Sequence, residues 1–215
     1  MSLTLPAAPV LAAFALASLV LAATPGPGVL YIVTRTLSQG RRAGLASVAG
    51  VALGNLGNAL AAALGLAALL AVSTLAFELV KWAGAAYLLW LGWKALRAPL
   101  AAPGAAPREA PALGRIVRDG FVVALLNPKT ALFFAAFLPQ FIDARAPAAA
   151  QSVLFGAAFV AIAACTDSAY VLAARAAAPA LAGMQRGRAI GRTLTAAVYV
   201  GLALFTAASG SRATR

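Results

Sequence analysis

The sequence is poor in the residues on which most enzyme and metal chemistry depends. It has no histidine, one cysteine and only five acidic residues among 215. The absence of histidine excludes most zinc and nickel sites, and so few acids leave too few ligands for a resident metal ion. Cys165 has no second cysteine with which to form an intramolecular disulfide. No G-x-S-x-G motif, H-E-x-x-H motif or pair of acids indicates an enzyme, so we expect neither catalysis nor a cofactor.

Charged residues are scarce and apolar residues abundant. Only 10% of the residues are charged, 63% are hydrophobic, and the mean hydropathy is +0.91. A soluble domain of this length is not so apolar, so the sequence predicts an all-α integral membrane protein whose surroundings are a lipid bilayer. The net charge of +12 would suggest nucleic acid in a soluble protein. No basic groove interleaved with aromatic residues accompanies that charge, so we expect no nucleic-acid partner.

Six hydrophobic segments are long enough to cross a membrane, which takes about 20 residues each. They lie at roughly 6–30, 45–71, 73–96, 117–139, 151–174 and 190–209. A stretch rich in alanine and proline, 98–114, separates them into a first three-helix repeat at 1–97 and a second at 115–210, followed by a tail at 211–215. The apolar run from Val10 to Ala23 has no Lys or Arg before it, so we expect a permanent segment there rather than a signal peptide.

The distribution of Lys and Arg predicts the orientation of these segments. Twelve of the seventeen lie in or beside three connections, and loops rich in these residues stay in the cytoplasm. We therefore expect loops 35–44, 97–118 and 175–192 to be cytoplasmic and the C-terminus to be periplasmic. The side of the N-terminus stays open, because the first segment either spans the membrane or is re-entrant.

Two of the segments contain residues that interrupt a helix. Thr24-Pro25-Gly26-Pro27-Gly28 breaks the first segment, and Asn127-Pro128-Lys129 lies 103 residues further on in the fourth. Lipid cannot satisfy the freed backbone groups, so such breaks belong inside the protein or against a watery cavity. Interrupted helices at matching places in two three-segment halves are typical of inverted-repeat transporters. The alternatives are a simple loop after the first segment and a chance coincidence of two prolines.

Lys129 and Asp167 are charged residues well inside predicted segments. A charge at the bilayer centre costs about 2.5–3.5 kcal/mol, so it is usually functional or paired. Lys129 is expected either to act at a site or to extend to the interface. Asp167, the only acid well inside a predicted segment, is expected either to pair with Lys129 or to hold a substrate ammonium group.

Asn55 and Asn58 place two amides in the second segment, on adjoining positions of one helix face. A buried amide is costly unless it finds a partner or a polar cavity. Both asparagines are therefore candidate site residues.

Five motifs, in this order and spacing, resemble the LysE/RhtB family of bacterial amino-acid exporters. They are Thr24-Pro25-Gly26-Pro27, Gly40-Arg41-Arg42-Ala43-Gly44, the run from Lys81 to Gly92, Asn127-Pro128-Lys129 and Phe137-Leu138-Pro139-Gln140-Phe141. The resemblance is strong from about Leu19 to Gln140 and looser to Gly210. It implies an inner-membrane efflux carrier driven by the proton motive force, often a homodimer, and the Lys81 to Gly92 run is most similar to the homoserine and threonine exporter branch.

The sequence departs from this family pattern at three positions. Many relatives have an acid where Asn55 stands and a histidine where Asn58 stands, which disfavours a cationic substrate such as lysine. Many also have the acid of the fifth segment at the position of Ala163, one turn before Asp167. The resemblance therefore implies a small neutral amino acid or a close derivative as substrate.

The expected mechanism uses the two breaks together. The half-helices that begin after them would bind a substrate carboxylate through free backbone donors, while Asp167 would bind the ammonium group and carry the coupled proton. The predicted substrate-binding residues are Thr24, Pro25, Gly26, Pro27, Asn55, Asn58, Asn127, Pro128, Lys129 and Asp167. The alternatives are export of another small solute or of a metal cation, and a membrane protein that transports nothing.

Overall fold

The computed structural model describes residues 6–65, 73–97, 112–143, 145–182 and 187–208. These residues form helices and contain no strand. The helices are α1 Ala8–Ala23, α2 Pro27–Gln39, α3 Arg41–Ala63, α4 Thr74–Arg97, α5 Leu113–Leu125, α6 Pro128–Leu132, α7 Ala148–Ala182 and α8 Gly187–Ala208. A π-helical turn, Phe133–Phe137, and a 3-10 turn, Leu138–Phe141, continue α6, and we call the whole of Pro128–Phe141 the Pro128 arm.

The two predicted helix breaks are confirmed. The helix axes of α1 and α2 differ by 51°, and those of α5 and the Pro128 arm by 48°. Pro27 and Pro128 each occupy the first turn of the following helix, where a missing N–H does no harm and the fixed φ favours the helix. Each break therefore ends one helix and starts another in a new direction.

Within the described ranges two helices, α3 and the stretch Ala148–Pro179 of α7, are long and apolar enough to cross a membrane. The number rises to four if each bent pair counts as one span. A shorter apolar stretch, Thr195–Ala207, lies in α8. The described residues thus form a helical membrane protein, while the number of six spans remains a prediction. The greater part of the predicted linker 98–114, and all of the tail 211–215, lie outside the described residues.

The basic segments are more helical than the sequence suggested. The predicted loop 35–44 is helical except at Gly40, whose φ of 84° allows α2 and α3 to be joined by that single residue. Arg35 consequently belongs to α2 rather than to a loop. The described parts of 175–192 belong to α7 and α8.

Helix directions bring the basic residues to one end of the bundle. Gly50 lies against Val117 and Gly57 against Leu125, so α3 and α5 run parallel. Gly44 lies against Val171 and Gly156 against Ala59, so α7 runs the opposite way. Gly84 lies against Leu126 and Tyr87 bonds to Asp119, so α4 also runs opposite to α5. We call this end the basic end, and it carries Arg41, Arg42, Lys94, Arg97, Arg115, Arg118 and Arg175.

The helix pairs are those expected if the two halves are related by a two-fold operation. The second helix of each half, α3 and α7, pack on each other, as do the third helices, α4 and α8. Helix α3 also packs on α5, and correspondingly α7 packs on α1. The inverted repeat itself remains a prediction, which these pairings favour.

Two apolar clusters form the core. The tyrosine cluster includes Tyr31, Ile32, Val51, Ile116, Val171 and Tyr199 and lies toward the basic end. The phenylalanine cluster consists of Phe14, Phe133, Phe134, Phe155 and Phe159 with neighbouring aliphatic side chains. Its rings lie in contact in pairs such as Phe14 and Phe155, whose centroids are 4.6 Å apart.

Gly50 and Gly54 allow α3 to lie directly against the backbone of α5. A Cβ atom at Gly50 would meet the carbonyl oxygen of Val117, and one at Gly54 the carbonyl oxygen of Phe121. Small residues that permit such close approach are typical of helix pairs in membranes.

We expect Gly50→Ala to lower the free energy of unfolding by about 1–3 kcal/mol, because the added methyl group overlaps a backbone atom. Gly201→Ala is the matched control, since no atom of the described residues lies within 4 Å of the position a Cβ would take there. It should raise stability by up to about 1 kcal/mol through helix propensity. Thermal unfolding in detergent measures both, and equal effects would contradict the close packing of α3 on α5.

Candidate functional site

The first break frees backbone carbonyl groups at the end of α1, and side chains from other elements satisfy them. Lys129 donates from Nζ to the carbonyl oxygens of Leu21, at 2.7 Å, and Thr24, at 2.6 Å. The Tyr170 hydroxyl donates to the carbonyl of Ala23 at 2.7 Å. Lys129 of the second break and Tyr170 of α7 thus donate hydrogen bonds to the last carbonyl groups of α1, which lack their usual partners within the helix.

The second break is completed in a corresponding way. Asn58 in α3 donates from Nδ2 to the carbonyl of Ala124 at 3.0 Å. The Asn127 side chain accepts a hydrogen bond of 3.1 Å from the backbone N–H of Lys129, the usual action of an N-cap residue. Leu21 and Ala124 lie 103 residues apart, the same displacement that relates Pro25 to Pro128. Matching carbonyls at the two breaks are therefore both capped.

The two breaks meet at a cavity of about 40 Å³. It lies where the tyrosine and phenylalanine clusters adjoin, with Val51 on one side and Phe159 on the other. Of the predicted site residues, those that line it are Thr24, Gly26, Asn55, Asn127, Lys129 and Asp167. Gly28, the first-turn residue of α2, lines it too. This volume admits water but not an amino acid.

The other predicted site residues do not line this cavity. Pro25, Pro27 and Pro128 shape the backbone around it. Asn58 is buried, and its amide serves the carbonyl of Ala124. Asn55 and Asn58 were both predicted to be site residues, but they face different surroundings.

The cavity contains a carboxylate and an ammonium group of opposite charge. Asp167 is only 5% exposed, and its charge and that of Lys129 attract each other. Among the described residues no ion pair within 4 Å joins the two. Ala163, the position at which the family resemblance implies an acid in relatives, lines the same cavity. Moving the acid one turn to Asp167 thus keeps it at the cavity.

Sequence reasoning missed a second buried acid. Asp119 in α5 is completely buried, and its carboxylate lies 3.2 Å from the guanidinium group of Arg35. Asp167 is therefore not the only acid inside the bundle. Asp119 falls within the predicted segment 117–139, which could have indicated that it is buried. Its position near the start of that segment is, however, also typical of a residue at the membrane boundary.

Apolar helices, two broken helices and a cavity between the breaks are features of many membrane transport proteins. The match to known families agrees: residues 19–210 match the model of the LysE type translocator. The chain belongs to the LysE translocator family.

The similar curated proteins include efflux proteins. The chain is 38% identical over 144 residues to the homoserine/homoserine lactone efflux protein of Salmonella typhimurium strain LT2, covering 67% of this chain and 70% of that protein. The protein of the same name from Salmonella typhi has the same identity and coverage. An uncharacterised membrane protein of Vibrio cholerae is 38% identical over 134 residues, 61% of this chain and 64% of that one. No solved structure matches the chain.

We expect Lys129→Met to lower the free energy of unfolding by at least about 1.5 kcal/mol, since hydrogen bonds to charged groups contribute about 1.5–3 kcal/mol each and two are removed. Lys94→Met is the matched control, because Lys94 is exposed and its Nζ lies 4.6 Å from the centre of the Trp90 ring. The control should lose no more than about 1 kcal/mol. Thermal unfolding in detergent compares them, and a Lys129→Met protein as stable as the control would contradict the capping role.

Proposed function

We propose that this chain exports small neutral amino acids or close derivatives across the inner membrane, with homoserine and threonine favoured, using the proton motive force. Family membership supports export in general. The names of two relatives, both homoserine/homoserine lactone efflux proteins, favour this substrate class. An amide rather than an acid at Asn55 also favours a neutral side chain over a cationic one.

The observation that carries the proposal is a single cavity with groups complementary to both ends of a zwitterion. Gly26 and Gly28 bring the N-terminus of α2 to it, and Asp167 brings a carboxylate. The first N–H groups of a helix are free of intrahelical partners and favour an anion. A substrate carboxylate would therefore lie at α2 and its ammonium group at Asp167.

Lys129 supports the anion side of this site. An ammonium group has three donors, and the carbonyls of Leu21 and Thr24 take two of them. The third would be available to the substrate carboxylate. Asn55, on the same cavity, would bond to the substrate side chain, whereas Asn127 would act mainly by capping the Pro128 arm.

The transport cycle would expose this cavity to each side of the membrane in turn. In an inverted repeat the two broken helices exchange roles between the outward and inward states. The gathering of positive charge at one end of the bundle favours that end as the cytoplasmic one, with six spans and an external C-terminus. A homodimer stays part of the proposal through family resemblance alone.

The experiment that tests this function measures amino acids in the medium of cells with and without the protein. We expect homoserine and threonine to accumulate outside the expressing cells, and lysine to be unaffected. Counterflow in proteoliposomes with a panel of labelled neutral amino acids then ranks the substrates. No accumulation and no counterflow for any of them would favour a membrane protein that transports nothing.

Asp167 is the proposed coupling residue, and Asp167→Asn separates coupling from binding. We expect the variant to lose uptake driven by a pH gradient into inside-out vesicles but to keep counterflow, with the half-saturation concentration raised about tenfold or more by loss of a charged hydrogen bond. Asp143→Asn is the control, since the side chain of Asp143 is 60% exposed. Full pH-driven transport by Asp167→Asn would remove Asp167 from the coupling role.

A further inference from the structure

A buried charged network lies between the cavity and the basic end. Asp119 accepts hydrogen bonds of 3.2 Å from Arg35 of α2 and 3.2 Å from the Tyr87 hydroxyl of α4. The guanidinium carbon of Arg35 also lies 5.2 Å from the centre of the Tyr31 ring. Tyr31 is fully buried and donates to the carbonyl of Ile116 in α5 at 2.8 Å. Three helices are thus tied together by polar side chains at this level.

This network lies on the continuation of the cavity. Arg35 follows Pro27 by eight residues and Asp119 precedes Asn127 by eight, which at 1.5 Å per residue places the pair roughly 12 Å along each helix from its break. Tyr31 lies between, one turn from Gly28 of the cavity wall. Arg35, Asp119 and Tyr31 therefore lie between the cavity and the basic end along α2 and α5.

The opposite side of the cavity is closed in another manner. The phenylalanine cluster packs there, and it includes Phe134, which is 1% exposed. Phe134 lies 103 residues after Tyr31, the displacement that relates the two breaks. Corresponding positions of the two halves therefore hold a tyrosine of the charged network and a phenylalanine of the packed aromatic cluster.

We propose that the Arg35–Asp119 ion pair, with Tyr31 and Tyr87, is the gate between the substrate cavity and the basic end. This gate rests on the proposed function. Charges inside a membrane bundle are seldom kept for stability alone, because their desolvation offsets most of their attraction. When the Arg35–Asp119 pair separates, water hydrates both charges. This hydration offsets much of the electrostatic attraction that is lost.

Two details of the pair fit repeated opening. Among the residues that the structure describes, none accepts a hydrogen bond from the buried Nε of Arg35, so the closed arrangement leaves that donor unused. Asp119 also lies 3.5 Å from the guanidinium group of Arg118, whose side chain is 66% exposed. When Arg35 moves away, Asp119 keeps a cationic neighbour at the basic end.

The test is to hold the gate closed by a reversible covalent link. In a Cys165→Ser background, Arg35→Cys and Asp119→Cys are joined by a short bifunctional thiosulfonate, and homoserine export is measured before linking, after linking and after reduction. We expect linking to abolish export and reduction to restore it, while each single-cysteine protein is unaffected by the reagent. Linked protein that exports as well as its reduced form would overturn the gate alone. No homoserine transport by the unaltered protein would overturn the proposed function and the gate with it.

A second measurement covers the case in which the double-cysteine protein does not fold. Ala163→Cys, in the same background, places a thiol in the cavity, and Asp119→Asn is added to remove the ion pair while keeping the shape. In inside-out vesicles, an impermeant maleimide should label this cysteine several-fold faster with Asp119→Asn than with the exposed control Asp143→Asn. Equal labelling rates in the two proteins would overturn the gate.

Discussion

The constraint on which this structure depends is that a helix broken inside a membrane frees carbonyl groups that lipid cannot satisfy. Pro25 and Pro128 create two such breaks, and at each end donors from elsewhere in the chain add to the local backbone N–H groups. Lys129, Tyr170 and Asn58 supply them across sequence separations of 108, 147 and 66 residues. Because these donors come from other helices, satisfying the breaks also fixes how the halves of the molecule meet.

The same arrangement explains why a polar cavity exists in so apolar a chain. Once Lys129 is placed on the carbonyls of the first break, its charge lies beside the N-terminus of α2 and near Asp167. The tyrosine cluster and the phenylalanine cluster adjoin this cavity, and Asp167 itself is buried. The proposed site for a small zwitterion therefore lies where a side chain of the second half binds the broken backbone of the first.

The helix breaks could be predicted from local sequence, whereas most side-chain contacts of the site could not, because they join residues distant in the sequence. Proline and glycine act on their own backbone, so Pro25 and Pro128 could be recognised without knowledge of any neighbour. The capping role of Asn58 could not, because its partner Ala124 is distant in sequence and nothing local distinguishes Asn58 from Asn55. The pairing of Arg35 with Asp119 could not be predicted, because a charged residue near the end of a hydrophobic segment usually belongs to a loop. Here the single-residue link at Gly40 and the packing of α3 against α5 bring the two residues inside the bundle.

The central claim, that the cavity between the breaks is the substrate site, is tested most directly by equilibrium binding of labelled homoserine to Asn55→Leu and Asn58→Leu. The two residues lie three positions apart on α3, but only Asn55 is placed on the cavity wall. If the cavity is the substrate site, Asn55→Leu loses binding at a nearly unchanged melting temperature, while Asn58→Leu melts earlier and still binds. Binding that survives Asn55→Leu but is lost in a stable Asn58→Leu protein would contradict it.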